Sequence, residues 1–175
     1  MKNVGMIALP SLVVATLGFC VACGSSKSGA EDSGSGTPVV VNGGFEDGTV
    51  SPWSPFHSIE FQVGGAMVHS GKFSLAESSG GGSLYQDVKG LEVGATYEVS
   101  AFIAAAPGST AIAQLAIADT AGKVPAFSPV VTPTTEWQPV SASVAAIAPG
   151  TIRIHLYRYS GSGTVYWDDV QIRHK

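Results

Sequence analysis

The sequence predicts an all-β sandwich or barrel. Three observations predict it. Short runs rich in Val, Ile, Thr, Tyr and Phe recur from Ile59 to the end of the chain. Turn signals separate them at frequent spacing: Ser70-Gly71, Gly80-Gly81-Gly82, Glu92-Val93-Gly94, Pro107-Gly108, Pro149-Gly150 and Gly161-Ser162-Gly163. Within the longer runs apolar and polar side chains alternate with period two, the repeat of a strand that turns one face to a core.

The leader comes first. Lys2 precedes an apolar run from Val4 to Cys23 that only Pro10, Ser11 and Thr16 interrupt. This is the pattern of a secretory signal over residues 1–23. Val21-Ala22-Cys23 is followed by Gly24-Ser25-Ser26, which resembles a bacterial lipoprotein signal. That resemblance implies lipidation at Cys23 and a membrane contact through a lipid anchor. The expected place is the bacterial cell envelope, at the outer membrane or cell surface; the alternatives are secretion and an uncleaved membrane anchor. Cys20 and Cys23 are the only cysteines in the 175 residues, so the folded part must stand on its core alone. Residues 24–37 are rich in Gly and Ser, cannot bury enough to fold, and read as a flexible tether. Residues 38–175 are one domain's worth of chain. Only 13% of residues are charged and the net charge is −4, which gives no footprint for nucleic acid.

Within the domain, Val39-Val40-Val41 leads into the glycine-bearing turn Asn42-Gly43-Gly44-Phe45-Glu46. Trp53, Phe56 and His57 follow in a Pro-rich loop. Trp53 there either plugs the end of a sandwich or stands as a binding platform. Short strands are expected over 59–63, 66–69, 73–76 and 83–88, and longer ones over 96–105, 112–118, 137–144, 151–159 and 165–172. Ala101 to Ala106 and Ala111 to Ala118 are alanine-rich, which favours helix. Period two with flanking Pro-Gly decides for strands.

Two strands carry candidate chemistry. In Thr151 to Tyr159, Ile152, Ile154 and Leu156 make a core face, leaving Arg153, His155, Tyr157 and Tyr159 on the other. Rings with polar tips can stack on a flat ligand and hydrogen-bond its edges, and sugars offer apolar C–H faces with hydroxyl rims. The same row would also serve as ordinary cross-strand packing. Glu98, Ser100, Phe102 and Ala104, continued by Gln114 and Ala116, are expected beside it, small enough to leave a shallow groove. In the last strand Tyr166, Asp168, Val170 and Ile172 read as the core side. A buried Asp168 needs a partner: a cation, an Arg or Lys, or backbone N–H groups. We expect it to meet the start of the domain near Glu46 across a calcium ion. For catalysis the sequence holds no G-x-S-x-G, no H-E-x-x-H and no zinc cluster.

The ordered series Asn42-Gly43-Gly44-Phe45-Glu46, Trp53, His69-Ser70-Gly71-Lys72-Phe73-Ser74-Leu75, Tyr85-Gln86-Asp87-Val88, Gly94-Ala95-Thr96-Tyr97, Thr135-Glu136-Trp137-Gln138 and Tyr166-Trp167-Asp168-Asp169-Val170 resembles the carbohydrate-binding modules of the family 4/9 type. These are galactose-binding-like jelly rolls, and the resemblance spans residues 38 to 173. It implies a jelly-roll β-sandwich of two antiparallel sheets. It also implies a structural calcium held by Glu46, carbonyls near Gly71 and Lys72, and Asp168. Sugar would lie on the open sheet against Gln114, Arg153, His155, Tyr157 and Tyr159, with Trp53 and Phe56 from the loop. The expected activity is non-catalytic binding of a polysaccharide or glycan. The alternatives are a structural or adhesion domain that meets other envelope proteins through the same sheet, and a small glycan hydrolase.

Overall fold

The computed structural model describes residues 37–123 and 125–175. The signal segment, Cys23 and the tether up to residue 36 lie outside the described residues. Eight strands follow in order: β1 Ser54–Gly64, β2 Ser74–Val88, β3 Thr96–Ala105, β4 Ile112–Ala118, β5 Ala126–Phe127, β6 Gln138–Ala145, β7 Ile152–Ser160 and β8 Val165–His174. The strands are paired antiparallel throughout, in the order β5-β4-β7-β2-β8-β3-β6, with β1 on the other edge of β2. The molecule is all-β, a jelly-roll sandwich.

The path closes into two layers because β2 changes partner along its length. Gly82 to Val88 pair with β7, whereas Leu75 to Glu77 pair with β8. Strand β1 runs beside both halves, with a register shift between Glu60 and Phe61. Between the halves lies Gly80-Gly81-Gly82. The sequence reads this run as a turn; it is a bend inside one strand. Gly80 has φ +84°, and a Cβ there would stand 1.9 Å from the Ser58 carbonyl oxygen. At Gly82 a Cβ would stand 2.3 Å from the Phe56 carbonyl oxygen. Only glycine lets β1 and β2 bend together this closely.

The core between the layers draws on both. Leu115, Ile117, Ile154 and Leu156 come from one layer, and Val99, Ile103, Val165 and Trp167 from the other, each 0% exposed. Each such side chain contributes roughly 1.5–3 kcal/mol of hydrophobic stabilisation, which suits a domain without disulfides. The last strand departs from the expected faces. Val165 and Trp167 point into the core, while Tyr166 is only half-buried. The reason is a bulge: the pairing with β3 shifts between Ser100 and Phe102, and Asp169 sits at φ +49°. The extra residue flips the alternation, so Val170 returns to the core at 3% exposure.

Candidate functional site

Strand β7 is central in its layer, between β2 and β4. Directly paired residues share a face, so the outward row of β7 extends sideways. Ser54, Tyr85, His155, Ala116 and Phe127 align across β1, β2, β7, β4 and β5. Phe56, Ser83, Tyr157 and Gln114 form the next row. Ala116 is small where its neighbours are large, and the surface dips there. The result is a cleft of about 250 Å³ lined by Phe56, Ala116, Gly122, Phe127, Arg153, His155, Tyr157 and Tyr159. Five of the seven residues expected to bind ligand line it: Phe56, Arg153, His155, Tyr157 and Tyr159.

The aromatic groups brace one another. The Tyr157 and Tyr159 rings stack at 4.6 Å, and Phe56 meets His155 edge-on at 5.5 Å. Phe127 and Phe56 stand 52% and 39% exposed, so apolar ring surface is open to a ligand. The Tyr159 hydroxyl donates to Gln114 Oε1 at 2.6 Å, while Gln114 Nε2 donates to the Ser128 carbonyl at 2.6 Å. Gln114 is therefore not a lining residue. It is buried behind the wall, its carbonyl on Tyr159 and its amide nitrogen on Ser128.

Two basic side chains border the cleft, and neither is a free charge. Arg153 makes a two-point pair with Asp87, Nε to Oδ1 at 2.7 Å and Nη2 to Oδ2 at 2.9 Å. Its guanidinium lies 4.1 Å from the centre of the Tyr85 ring. The hydrogen bonds from Arg153 hold the Asp87 carboxyl below the usual carboxylate range. His155 is 7% exposed and its Nδ1 lies 2.8 Å from the Ser83 hydroxyl. Burial, then the neighbouring Arg153 charge, push the imidazole down to about 4, so it is neutral at pH 7. Burial, then Tyr157, raise the Tyr159 phenol, which stays a neutral donor. Among the described residues that line the cleft there is no Asp or Glu, so the carboxylate pair of a glycosidase is not on this surface.

Three expectations need correction. Trp53 is 3% exposed; it packs 5.8 Å from Phe45 and its indole N–H donates to the Asn42 carbonyl at 3.3 Å. It belongs to the core and offers no platform to a ligand. Strand β3 pairs with β6 and β8 in the other layer, so Glu98, Ser100, Phe102 and Ala104 do not adjoin the cleft. The third concerns Lys72, at the opposite end of the expected ion site. Its backbone N–H, a donor, points at the Glu46 carboxylate at 3.0 Å. Its carbonyl oxygen lies against Gly65 instead, 3.1 Å from where a Cβ would be.

The start of the domain does meet β8. The Val170 N–H donates to the Gly43 carbonyl at 2.9 Å. Asp168 is 0% exposed, with Oδ2 accepting from the N–H groups of His69 and Ser70 at 2.9 and 3.2 Å and Oδ1 from that of Asp169 at 2.8 Å. Burial raises its pKa against the pull of these donors. Glu46 braces the far side of the same turn through the Lys72 and Phe73 N–H groups. A Cβ on Gly44 would lie 3.5 Å from Asp169 Oδ1, 3.7 Å from Asp168 Oδ1 and 3.7 Å from Glu46 Cγ. The first two are carboxylate oxygens, hard donors of the kind calcium takes; the third is a carbon, and the Glu46 carboxylate is turned to Lys72 and Phe73. Their arrangement does not by itself gather three acidic or imidazole side chains around one point among the described residues. The N–H groups already satisfy the carboxylates.

Against this geometry the family comparison is decisive: the carbohydrate binding domain of families 4 and 9 matches residues 37–157. The chain belongs to this family. The matched span takes in the row from Phe56 to Tyr157 and stops before Tyr159. Among solved structures, the chain is similar to a family 61 carbohydrate-binding module complexed with β-1,4-galactotriose. Identity is 22%, the match covers 80% of this chain and 100% of that one, and the TM-score is 0.66. It is also similar to the xylan-binding family 22 domain of Paenibacillus barcinonensis Xyn10C, at 19% identity, 75% and 90% coverage and a TM-score of 0.59. An arabinose-bound family 51 α-L-arabinofuranosidase matches over 82% of this chain and 27% of its own, at 18% identity and a TM-score of 0.60. At these identities the likeness establishes the fold. No curated protein matches the chain.

Four residues of the site escape a sequence reading: Gly122, Phe127, Tyr85 and Asp87. Strand β5 has two residues, too few for any period. Tyr85 and Asp87 were within reach, because they alternate with the inward Leu84 and Val88.

Proposed function

We propose that this domain binds a polysaccharide or glycan in the cleft over β7 and does not process it. The observation that carries the reading is the stacked Tyr157–Tyr159 pair, open beside Phe56 and Phe127 and held from behind by Gln114. Flat apolar rings ringed by neutral donors match the faces and rims of a pyranose. Soluble polysaccharide in a native gel should retard the wild type, and should retard Tyr157→Ala markedly less. Equal retardation of the two would remove this face from consideration.

Two further parts of the reading are proposals of the same kind. Calcium would join the tie between Glu46, Asp168 and the 69–73 turn, supported by the Asp168 and Asp169 carboxylate oxygens beside Gly44. Lipid at Cys23 would hold the domain at the cell envelope, supported by the Val21-Ala22-Cys23 sequence and the Gly/Ser-rich tether. Cys23→Ser should then move the full chain from the membrane fraction to the soluble one; an unchanged distribution would end that idea.

A further inference from the structure

We propose that Asp87 sets the charge selectivity of the cleft: by occupying one side of the Arg153 guanidinium, it makes the site select uncharged sugars over uronic acids. The inference rests on the glycan-binding reading and names the chemical class of the ligand.

An arginine bordering a sugar cleft would ordinarily favour anions, because its planar fork matches a carboxylate at two points. Here one of its two two-point edges is taken. Nε and Nη2 both go to Asp87, at 2.7 and 2.9 Å. The guanidinium face is covered too, by the Tyr85 ring at 4.1 Å. Nη1 and the second hydrogen of Nη2 are left over. Together they form the guanidinium's second, end-on two-point edge, so what Asp87 takes from the site is net positive charge, not every fork. Asp87 stays ionised through this pairing, so the charge it brings cancels the guanidinium's. The second basic group, His155, adds none, since burial keeps its ring neutral. A uronate carboxylate entering beside Arg153 would therefore meet Asp87 just behind it and no net positive charge. Asp87 lies outside the lining of the cleft, so it acts on ligand through Arg153 and is a positioning residue.

The experiment measures binding of full-length protein to neutral β-1,4-galactan and β-1,4-xylan, and to acidic polygalacturonate and glucuronoxylan. Wild type should bind a neutral probe and discriminate against its acidic counterpart. Asp87→Asn keeps the shape and removes the charge. It should raise the acidic-to-neutral affinity ratio about tenfold or more, the worth of one charge-assisted hydrogen bond. The gain should fade at high salt. Asp87→Glu should keep the wild-type ratio. An unchanged ratio in Asp87→Asn, with neutral binding intact, would overturn the assignment and leave the glycan reading standing. A wild type that prefers the acidic probes would overturn it as well. A wild type that binds none of the four would overturn both.

Discussion

Glu77 shows how far one residue's surroundings set its chemistry. It is 0% exposed, its Oε2 accepts from the Trp167 indole at 2.8 Å, and its Oε1 has no hydrogen-bond partner among the described residues. Burial lifts its pKa from 4.5 to about 8. The folded state thus holds the proton at pH 7, whereas the unfolded chain releases it above 4.5. A folded-state pKa above the unfolded one means stability that is whole below pH 4.5 and lost as pH rises through 8. The melting temperature should fall between pH 5 and pH 8, and Glu77→Gln, which cannot ionise, should flatten that fall. A parallel slope in both proteins would contradict the neutral carboxyl. In the sequence, Glu77 is one carboxylate among several. Its burial follows from β2 running through both layers, which local pattern does not reveal. Trp53 is hidden for a similar reason: a Trp between prolines reads alike whether it plugs the core or faces solvent.

Among the elements, β7 is the most legible. Its alternation of Ile152, Ile154 and Leu156 against Arg153, His155, Tyr157 and Tyr159 appears unaltered in the fold. Strands β3 and β4 also have the expected bounds. No strand forms over 66–69, Phe56 and His57 belong to strand β1 and not to a loop, and two further strands mislead. Strand β2 hides behind three glycines that look like a turn. Strand β8 starts on the opposite face because a bulge adds one residue, and a one-residue shift swaps every side chain across the sheet. Asp168 is buried as expected, yet it lies on the outer side, opposite Phe102, where the turn at His69 and Ser70 covers it. The tie between β8, the 69–73 turn and residues 43–46 is where calcium would act. A ligand bound only by the native state stabilises it by mass action. At calcium a hundredfold above its dissociation constant the gain is about 2.7 kcal/mol. Calcium should therefore raise the melting temperature and chelator lower it, with no difference in Asp168→Ala. Indifference of the wild type to calcium would mean that the N–H groups alone make the tie.

At the scale of the molecule, two layers joined through a bent β1–β2 pair leave one broad face free, and β7 carries the rings at its middle. The sequence period predicts the class of fold and the row on β7. It is silent on which strands flank that row, because pairing between distant strands is a property of the whole topology. Hence β4, β5 and β2 supply Ala116, Phe127 and Tyr85, and β3 supplies nothing. The proposed saccharide binding falls to this face. Affinity electrophoresis of wild type, Tyr157→Ala and Tyr166→Ala in neutral polysaccharide tests it most directly. Tyr166 lines a different cleft, in the layer of β8, and controls for loss of a ring as such. Tyr157→Ala should weaken binding about tenfold, as loss of a stacked aromatic contact worth up to about 1.5 kcal/mol implies. Tyr166→Ala should match the wild type. Retention of wild-type affinity by Tyr157→Ala, or its loss in Tyr166→Ala alone, would contradict the claim.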